Sequence, residues 1–372
     1  MESNKYKLSQ LLTIKNGKDY KHLEQGNIPV FGSGGYMCSV SSYLYDKTSI
    51  LLPRKGTLSN IQFYNNGKFW TVDTCFYSII NETLCDPYYL YRYLRSLDLS
   101  GYDTGASIPS MTQKTYNGIK VILPSINIQN RIASILSAYD NLIENNNKRI
   151  CLLEQMAENL YKEWFSYHRI KPISSEIRLT DIVSITRGLS YSSEEIDCVE
   201  GSDLINLKNI QAYGGFRLDG TKKYCGKHKK EQVVIEGDLI MGVTDMTQDR
   251  RTVGSVALIP NTFNLSVISA DLIKLTSTID NVFLYAMFRW GGVSKYISQF
   301  ANGANVLHLR PQALKNVKIL LPSNVFIDKY VSIVKPMIAT INKLNTENEQ
   351  LSRQRDLLLP RLMSGKLEVN EP

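Results

Sequence analysis

The feature that most constrains this chain is an internal repeat whose two copies share their first and last residues and differ in most residues between them. Gly105–Ser125, GASIPSMTQKTYNGIKVILPS, returns 198 positions later as Gly303–Ser323, GANVLHLRPQALKNVKILLPS, with six identical positions and five exchanges between apolar residues. Two further segments repeat, at offsets of 171 and 194: Lys7–Tyr20 with Arg178–Tyr191, and Asp86–Tyr91 with Asp280–Tyr285. The repetition predicts a duplicated fold, and the growing offset places 27 extra residues in the second copy.

Each copy has the composition of a mostly β domain. Short runs such as TSILLP, FWTVDTCFYSII, GDLIMGV and VGSVALIP are rich in β-branched and aromatic residues and are bounded by Gly, Pro, Asn or Asp. One short helix is expected at about 87–97 in the first copy, where Asp86 and Pro87 form a helix start, and another at 280–298 in the second. We therefore expect two duplicated α+β domains, each with a mixed, curved β-sheet and short helices.

Both copies end at Leu-Pro-Ser, and there the apolar pattern changes to steps of three and four. The first such region has no Gly or Pro from 126 to 171, which predicts a helix about 60 Å long. In the second region, Pro336 is expected to kink the helix and Pro360 to end it. Since each helix has one apolar face, we expect an antiparallel coiled coil that separates the two domains. Burial in one merged core is the alternative, which the polar segments 145–147 and 342–349 disfavour.

These patterns give the predicted domain boundaries. The first domain spans 1–125 and is followed by a helical spacer at 126–168. The second domain spans 169–323 and is followed by a second helical spacer with the C-terminal tail at 324–372. The N-terminus lacks the apolar core of a signal peptide, and no run approaches the roughly 20 apolar residues of a membrane span. We expect a cytoplasmic protein without membrane contact. The six cysteines show no CxxC or CxxxC spacing, so we expect small core residues rather than a zinc site or a disulfide framework.

The net charge of +8 is concentrated in the two copies of the repeat. Residues 1–125 hold 13 basic and 9 acidic residues, and residues 171–323 hold 18 and 15. The two helical regions are close to neutral. A basic surplus confined to the duplicated domains favours a polyanionic partner such as nucleic acid.

A search for catalytic residues finds none. Asp86-Pro-Tyr-Tyr resembles the Asn/Asp-Pro-Pro-Tyr motif of amino-methyltransferases but lacks its second proline, and no S-adenosylmethionine-binding loop accompanies it. Phe31-Gly-Ser-Gly-Gly lacks the Gly-Lys-Ser/Thr of a nucleotide-binding loop, so a tight turn is the better interpretation. The four histidines are scattered, and no Gly-x-Ser-x-Gly is present. We therefore expect a protein that is not itself an enzyme.

Side chains that can read base edges are easier to find. Arg54–Thr57 follows an apolar strand in the first copy, and Thr244–Arg251 follows the comparable strand in the second. Arginine can bond guanine, glutamine adenine, and aspartate cytosine, although an exposed turn is the alternative for either loop. The varied centre of the repeated stretch would let two similar domains read different sequences. The basic run Lys222–Lys230 could neutralise phosphates.

Over its whole length the chain resembles the specificity (S) subunits of type I restriction–modification systems. The resemblance rests on the N-terminal K-L-x-x-L-x-x-I-x-x-G, on PVFGSGG and LLPRKGT, and on the endings ILPS and LLPS. It is most specific in LLEQMAENLYKEWF at the end of the first helix and RDLLLPRLMSGKLEV at the end of the second. The family implies two target-recognition domains, each reading half of a bipartite, asymmetric site in double-stranded DNA, with the helices as a ruler between the halves.

The resemblance also implies the partners. Two DNA methyltransferase (modification) subunits would dock on the helices, and restriction (translocase–nuclease) subunits would join them. S-adenosylmethionine, ATP and Mg²⁺ would be held by those partners, with no cofactor on this chain. Three other functions stay open. One is a single-chain enzyme, a methyltransferase or nuclease whose site the motifs do not reveal, although the missing cofactor loop disfavours it. The second is the recognition subunit of a related two-component system with a fused nuclease–methyltransferase partner, and the third is a DNA-binding scaffold without a methylation partner.

Candidate site residues follow from these arguments. The expected DNA contacts in the first domain are Ser33, Tyr36, Arg54, Lys55, Thr57, Ser110, Thr112, Gln113 and Lys114. In the second they are Arg187, Tyr191, Lys222, Lys223, Lys227, Lys229, Lys230, Thr244, Gln248, Arg250, Arg251, Asn305, His308 and Arg310. The expected partner-docking residues are Tyr161, Trp164, Phe165, Leu358 and Leu362.

Overall fold

A computed structural model describes residues 3–103, 108–166, 175–196, 198–261 and 265–367. The chain forms two compact units: unit 1 comprises Met1–Ile143 and Gln350–Pro372, and unit 2 comprises Glu144–Glu349. Each unit therefore holds one copy of the repeat, the beginning of the long helix that follows that copy, and the end of the other long helix.

The described elements alternate short strands with helices. The α-helices are α1 (Leu8–Leu11), α2 (Pro87–Ser96), α3 (Gln113–Asn117), α4 (Ile126–Tyr161), α5 (Asn281–Arg289), α6 (Val293–Ser298) and α7 (Asn324–Met363), and a π-helical turn, Lys162–Ser166, continues α4. Short 3-10 turns occupy Ser100–Tyr102, Leu179–Asp181, Ser193–Glu195, Leu207–Asn209, Lys230–Gln232 and Pro311–Asn316.

The strands of unit 1 are β1 (Ser3–Lys7), β2 (Leu12–Asn16), β3 (Gln25–Gly32), β4 (Gly35–Val40), β5 (Ser49–Pro53), β6 (Gln62–Tyr64), β7 (Trp70–Thr71), β8 (Cys75–Ile80) and β9 (Lys120–Pro124). They form an antiparallel pair β1-β9, a sheet in the order β2-β8-β5-β6 and a mixed sheet in the order β4-β3-β7, in which β3 and β7 are parallel. Apolar side chains from β2, β5, β8, α2 and the start of α4 make the main core of this unit.

The strands of unit 2 are β10 (Ser175–Arg178), β11 (Val183–Arg187), β12 (Ser202–Ile205), β13 (Lys222–Tyr224), β14 (Val233–Val234), β15 (Leu239–Gly242), β16 (Thr244–Asp245), β17 (Val256–Leu258), β18 (Ser266–Ile268), β19 (Leu272–Ser277), β20 (Leu307–His308) and β21 (Lys318–Leu321). The same plan recurs: a pair β10-β21, a sheet β11-β19-β15-β17, and a mixed sheet β13-β12-β18-β14 with β12 and β18 parallel. A further pair, β16-β20, is described below.

Equivalent backbone contacts show that the sequence repeat is a structural repeat. The Lys18 amide donates to the Thr71 carbonyl at 2.8 Å, and in the other copy the Leu189 amide donates to Ile268 at 2.8 Å. The glycines just before them approach backbone equally closely, since a Cβ would lie 2.0 Å from a carbonyl oxygen both at Gly17 and at Gly188. The predicted α+β fold with duplicated mixed sheets is confirmed, although the strands divide among several sheets in each copy.

Helix α2 begins as the sequence predicts. The Asp86 carboxylate caps it by accepting from the Tyr89 amide at 2.8 Å, and Pro87 lies in the first turn. In unit 2 the equivalent helix is broken at Gly292, which has φ +83, so that α5 and α6 replace one long element.

Helix α7 corrects one prediction. Pro360 does not end the helix, which continues to Met363, and Pro336 lies inside it without interrupting it. A proline in the last turn removes one amide donor, yet its own carbonyl still accepts, here from the Ser364 amide at 3.1 Å. The helix ends at Met363 instead, and Gly365, two residues beyond it, has φ +71 and donates its amide to the Leu362 carbonyl.

Within each unit the two long helices run antiparallel. In unit 2, Asn146 bonds Asn348 at 3.1 Å, while Tyr330, earlier in α7, bonds the carbonyl of Ala157, later in α4, at 3.2 Å. In unit 1, Arg355 bonds Asp140 at 2.6 Å. The predicted antiparallel helix pair is confirmed.

The cysteine prediction is wrong for four of the six residues. The Cys198 and Cys225 sulfurs are bonded at 2.11 Å across 27 residues, Cys151 is exposed and Cys38 is half-buried. Only Cys75 and Cys85 are buried core residues. The disulfide joins the segment before β12 to the segment after β13, and it was missed because partners this far apart leave no local spacing signal. Among the described residues, no helix has the length and apolarity to cross a membrane, and no group of side chains could hold a metal ion.

Candidate nucleic-acid interface

In unit 1 the structure brings two predicted loops together. The loop Arg54–Thr57 leaves the fully buried strand β5, and Lys55 forms an antiparallel bridge with Ser110. The Met111 amide donates to the Arg54 carbonyl at 3.0 Å, and the Gly56 amide donates to Pro109 at 2.9 Å. Backbone bonds thus fix the loop, while the side chains of Arg54, Lys55 and Thr57 stay exposed.

Two neighbouring elements complete this first surface. Gly56, with φ +92, lies against the tip of the β3–β4 hairpin, since a Cβ there would be 3.4 Å from the Ser33 hydroxyl. Tyr36 lies on that hairpin and is 62% exposed. Thr112 caps α3 by accepting from the Thr115 amide at 3.1 Å, and Gln113 donates to the Asn16 side chain at 3.0 Å. Thr112 and Lys114 are exposed, and Gln113 is half-buried.

Unit 2 builds the same arrangement with other side chains. Thr244 pairs with His308 and Asp245 with Leu307, so the loop after β15 again meets the repeated stretch. The Leu309 amide donates to the Val243 carbonyl at 2.8 Å, as Met111 does to Arg54 in unit 1. Ser110 and His308 occupy equivalent positions in the 198-residue offset. The backbone frame is shared, and exposed side chains at the same places differ.

A buried carboxylate organises the second loop. Asp245 is 2% exposed and accepts from the Thr252 amide at 2.7 Å and from the Thr247 amide and hydroxyl, both at 2.9 Å. Burial raises the pKa of this carboxyl, but the hydrogen bonds from Thr252 and Thr247 outweigh burial and hold the pKa below its ordinary value. A charged carboxylate therefore shapes the loop from inside.

Two predicted contacts of this loop change as a result. Thr244 is only 5% exposed because it lies in the β16-β20 pair, so the prediction that it touches DNA does not hold in this structure. Gln248 uses its amide to donate to the Ala304 carbonyl at 2.9 Å and thereby braces the loop. Arg250 and Arg251 remain on the surface of the loop, and Arg251 is paired with Asp249 at 2.5 Å. Asn305, His308 and Arg310 lie on or beside β20, and all three are exposed.

The extra residues of the second copy enlarge this surface. In unit 1 a two-residue turn, Ser33-Gly34, joins β3 to β4; in unit 2 the segment 206–221 joins the equivalent strands β12 and β13. At its tip Tyr213 is 66% exposed and has φ +65, and its amide donates to the Arg251 carbonyl at 2.8 Å. Tyr213 and Arg250 (φ +53) are the two described non-glycine residues in this left-handed conformation.

Two cavities flank the loop that carries Arg250 and Arg251. One, of about 460 Å³, has Lys208, Arg217 and Arg251 in its wall, and the other, of about 510 Å³, has Tyr213, Arg250 and Lys295. Sequence reasoning missed Lys208, Tyr213, Arg217 and Lys295. The Tyr-Gly-Gly at 213–215 was the available signal, because consecutive glycines mark a tight turn.

The basic run Lys222–Lys230 lies at a sheet edge. Lys222 and Lys223 are on β13, which pairs with β12, and Lys223 forms an ion pair with Asp203 at 2.8 Å. Lys227, Lys229 and Lys230 follow in an exposed turn, with Lys229 3.9 Å from Glu231. Arg187 ends β11, and Tyr191, 36% exposed, follows it.

The predicted docking residues are mostly used inside the chain. Tyr161 is 6% exposed and Leu362 is 1% exposed, so neither side chain is available to a partner, and the prediction does not hold for them. Tyr161, Trp164 and Phe165 pack with Phe283 and Tyr330 in the core of unit 2. Leu358 packs half-buried against the core of unit 1. These helix ends are apolar because each seals the core of a repeat copy.

Comparison with known proteins gives one consistent result. Residues 1–155 match the model of the type I restriction modification DNA specificity domain. The chain is 24% identical to the MjaIX specificity subunit of Methanocaldococcus jannaschii, covering 95% of this chain and 85% of that protein. It is 22% identical to the HindI specificity subunit of Haemophilus influenzae, covering 77% and 79%. A crystal structure of an S subunit from M. genitalium shares the fold, with a TM-score of 0.67 at 16% identity over 97% of this chain and 96% of that one.

Proposed function

Because the chain belongs to the family of type I restriction–modification specificity subunits, we propose that it is the sequence-specific DNA-recognition subunit of such a complex. Each copy of the repeat reads one half of a bipartite, asymmetric site in double-stranded DNA. This chain performs no chemistry of its own. The methyltransferase and restriction subunits carry S-adenosylmethionine, ATP and Mg²⁺.

One observation carries this proposal. The bridge between Lys55 and Ser110 in unit 1 and the pair Thr244–His308 in unit 2 are the same backbone construction. Around it the side chains at equivalent positions change, from the half-buried Ser110 to the exposed His308 and from the exposed Thr112 to the exposed Arg310. A fixed frame with exchanged hydrogen-bonding groups is what two readers of different base sequences need, because base edges are distinguished by their donors and acceptors.

The partner surface consists of apolar residues that stay exposed at equivalent positions. Ile122 and Leu320 are 47% and 59% exposed, and Ile135 and Ile333 are 37% and 42% exposed. Each pair is related by the 198-residue offset. Two copies of one methyltransferase subunit require two equivalent surfaces, and these pairs supply them. This assignment replaces the buried Tyr161 and Leu362.

Exchange of residues 1–125 for the first domain of another family member tests the reading of half-sites. Single-molecule sequencing of N6-methyladenine in cells that also express the methyltransferase subunit would report the motif. We expect one half of a split motif to change while the other half and the gap stay the same. A change in both halves together, or methylation that persists when the chain is deleted, would contradict the proposal.

A further inference from the structure

The seam between the long helices contains one polar layer that lies among apolar ones. In α4 the positions from Ile132 to Leu160, taken in alternating steps of four and three, are all buried or half-buried. All of them are apolar except Asn146. In α7 the same steps from Tyr330 to Leu362 meet only two polar residues, Asn348 and Arg355. This spacing is the heptad pattern of a coiled coil.

The asparagines of this seam bond each other. The Asn146 amide nitrogen donates to the Asn348 side-chain oxygen at 3.1 Å, and the Asn348 amide nitrogen donates to the Asn147 side-chain oxygen at 2.9 Å. Asn146 is 4% exposed, so its amide has little access to water. Both of these hydrogen bonds join one long helix to the other.

Away from the helix ends, which are buried in the cores of the two units at Tyr330 and Leu362, the apolar layers do not by themselves distinguish one alignment of the helices from another. Counting outward from the asparagine contact in opposite directions places Ile150 opposite Leu344 and Ile143 opposite Leu351. After a slip of one heptad most of the apolar residues would still meet apolar residues. Asn146 would then lie opposite Ile341 or Arg355, and its amide would lose its partner. A buried amide without a partner disfavours that alignment.

Arg355 contributes less than Asn146 to the selection of one alignment. It bonds Asp140 at 2.6 Å in the observed alignment, but its side chain is 18% exposed. A long arginine side chain can extend its guanidinium to water when its partner moves away, whereas an asparagine cannot. The short, buried Asn146 is therefore the stricter determinant.

We propose that the Asn146–Asn348 layer fixes the register of α4 against α7 and, through it, the number of unspecified base pairs between the two half-sites. The second clause rests on the proposed function. A polar pair at a seam position is a documented way to select one register at some cost in stability. A one-heptad slip moves one helix by about 10 Å along the other, which corresponds to about three base pairs of B-DNA.

The test combines a register readout with a functional one. In a background in which the exposed Cys151 is replaced by serine, Ile150→Cys with Leu344→Cys reports the observed register, and Ile150→Cys with Met337→Cys reports the slipped one. With the asparagines present, we expect oxidation to cross-link only the first pair. In the double variant Asn146→Leu, Asn348→Leu we expect the slipped pair to cross-link at least tenfold more than before. The matched control is Asn145→Leu, which is exposed and outside the seam.

The functional arm is the methylated motif of the same variants without the added cysteines. We expect the double variant to methylate additional sites whose gap differs by about three base pairs, with both half-sites unchanged, and the control to methylate the original sites alone. Absence of slipped cross-links in the double variant would overturn the register lock. Slipped cross-links with an unchanged gap would support the lock and overturn the ruler in the proposed function.

Discussion

The two candidate DNA-binding surfaces differ in how much each adds to the backbone framework that the two units share. In unit 1 only a two-residue turn, Ser33-Gly34, lies beside the loop Arg54–Thr57. In unit 2 the segment 206–221 stands at the equivalent place, contacts the loop at Arg251 and leaves a cavity on each side of it. Insertions are confined to exposed connections, because the buried strands beneath must keep their backbone hydrogen bonds. A duplicated domain can therefore change its exposed connections without altering its core.

The two units also fasten their helices with different residues. In unit 1 a half-buried Asp140 on α4 bonds Arg92, Arg355 and the Tyr88 hydroxyl. In unit 2 Arg289 on α5 bonds Glu154 on α4 at 2.8 Å and also the Tyr285 hydroxyl. Asp140 belongs to the helix that follows its own copy, whereas Glu154 lies near the end of the helix that precedes its copy. Both units therefore contain an arginine–carboxylate ion pair to α4, but the paired residues are not at equivalent positions of the repeat. The ion pair follows from the way each unit packs against α4 and not from the repeated sequence.

The largest expected effect is the loss of one of these ion pairs. Arg289 is largely buried, and its removal in Arg289→Met would leave the Glu154 carboxylate without its partner, at a cost of about 3–5 kcal/mol in the free energy of unfolding. Hydrogen exchange should show the loss of protection in unit 2 and little change in unit 1, and Arg92→Met should show the reverse. Equal losses in both units would contradict the separation into two units.

A second pair of variants tests the equivalence of the two frames. Gly17→Ala and Gly188→Ala each place a Cβ about 2.0 Å from a carbonyl oxygen, so each should destabilise its unit by about 3 kcal/mol. Gly34→Ala is the matched control, since nothing lies within 4 Å of the added atom, and its effect should stay within about 0.5 kcal/mol. Chemical denaturation of the three purified variants would measure this. Tolerance at only one of the two glycines would show that the frames are not equivalent.

A third prediction concerns the exchanged side chains. His308→Ser places the residue of the first copy at the equivalent position of the second, and it should alter the preference at one base pair of the second half-site by about 1–3 kcal/mol. The first half-site should not change. Methylation sequencing of the variant, with the exposed and distant Lys318→Ala as control, would measure both halves. An altered first half-site would contradict the assignment of one half to each copy.

The smallest expected effect is a pH dependence of unit 1. Burial raises the pKa of the Asp140 carboxyl, but hydrogen bonds from Tyr88 and Arg355 and the nearby arginine charges outweigh burial and lower it. Because the folded-state pKa is depressed, the stabilisation is present above the ordinary aspartate pKa, about 3.9, and is lost as the pH falls through the lower folded-state value. Denaturation midpoints between pH 3 and 6 would show a shallower acid slope for Asp140→Asn. An unchanged slope would remove Asp140 from this role.

The sequence alone determined the duplication, the two long helices and the cap at Asp86. These follow from local patterns, because heptad spacing, capping residues and repeated frames act over short distances along the chain. The tertiary structure decided the rest. In the folded chain Tyr161, Leu362 and Thr244 are buried, Cys198 is bonded to Cys225, and α7 continues beyond Pro360. Each outcome depends on which distant segment lies beside the residue, and no local pattern of side chains records that.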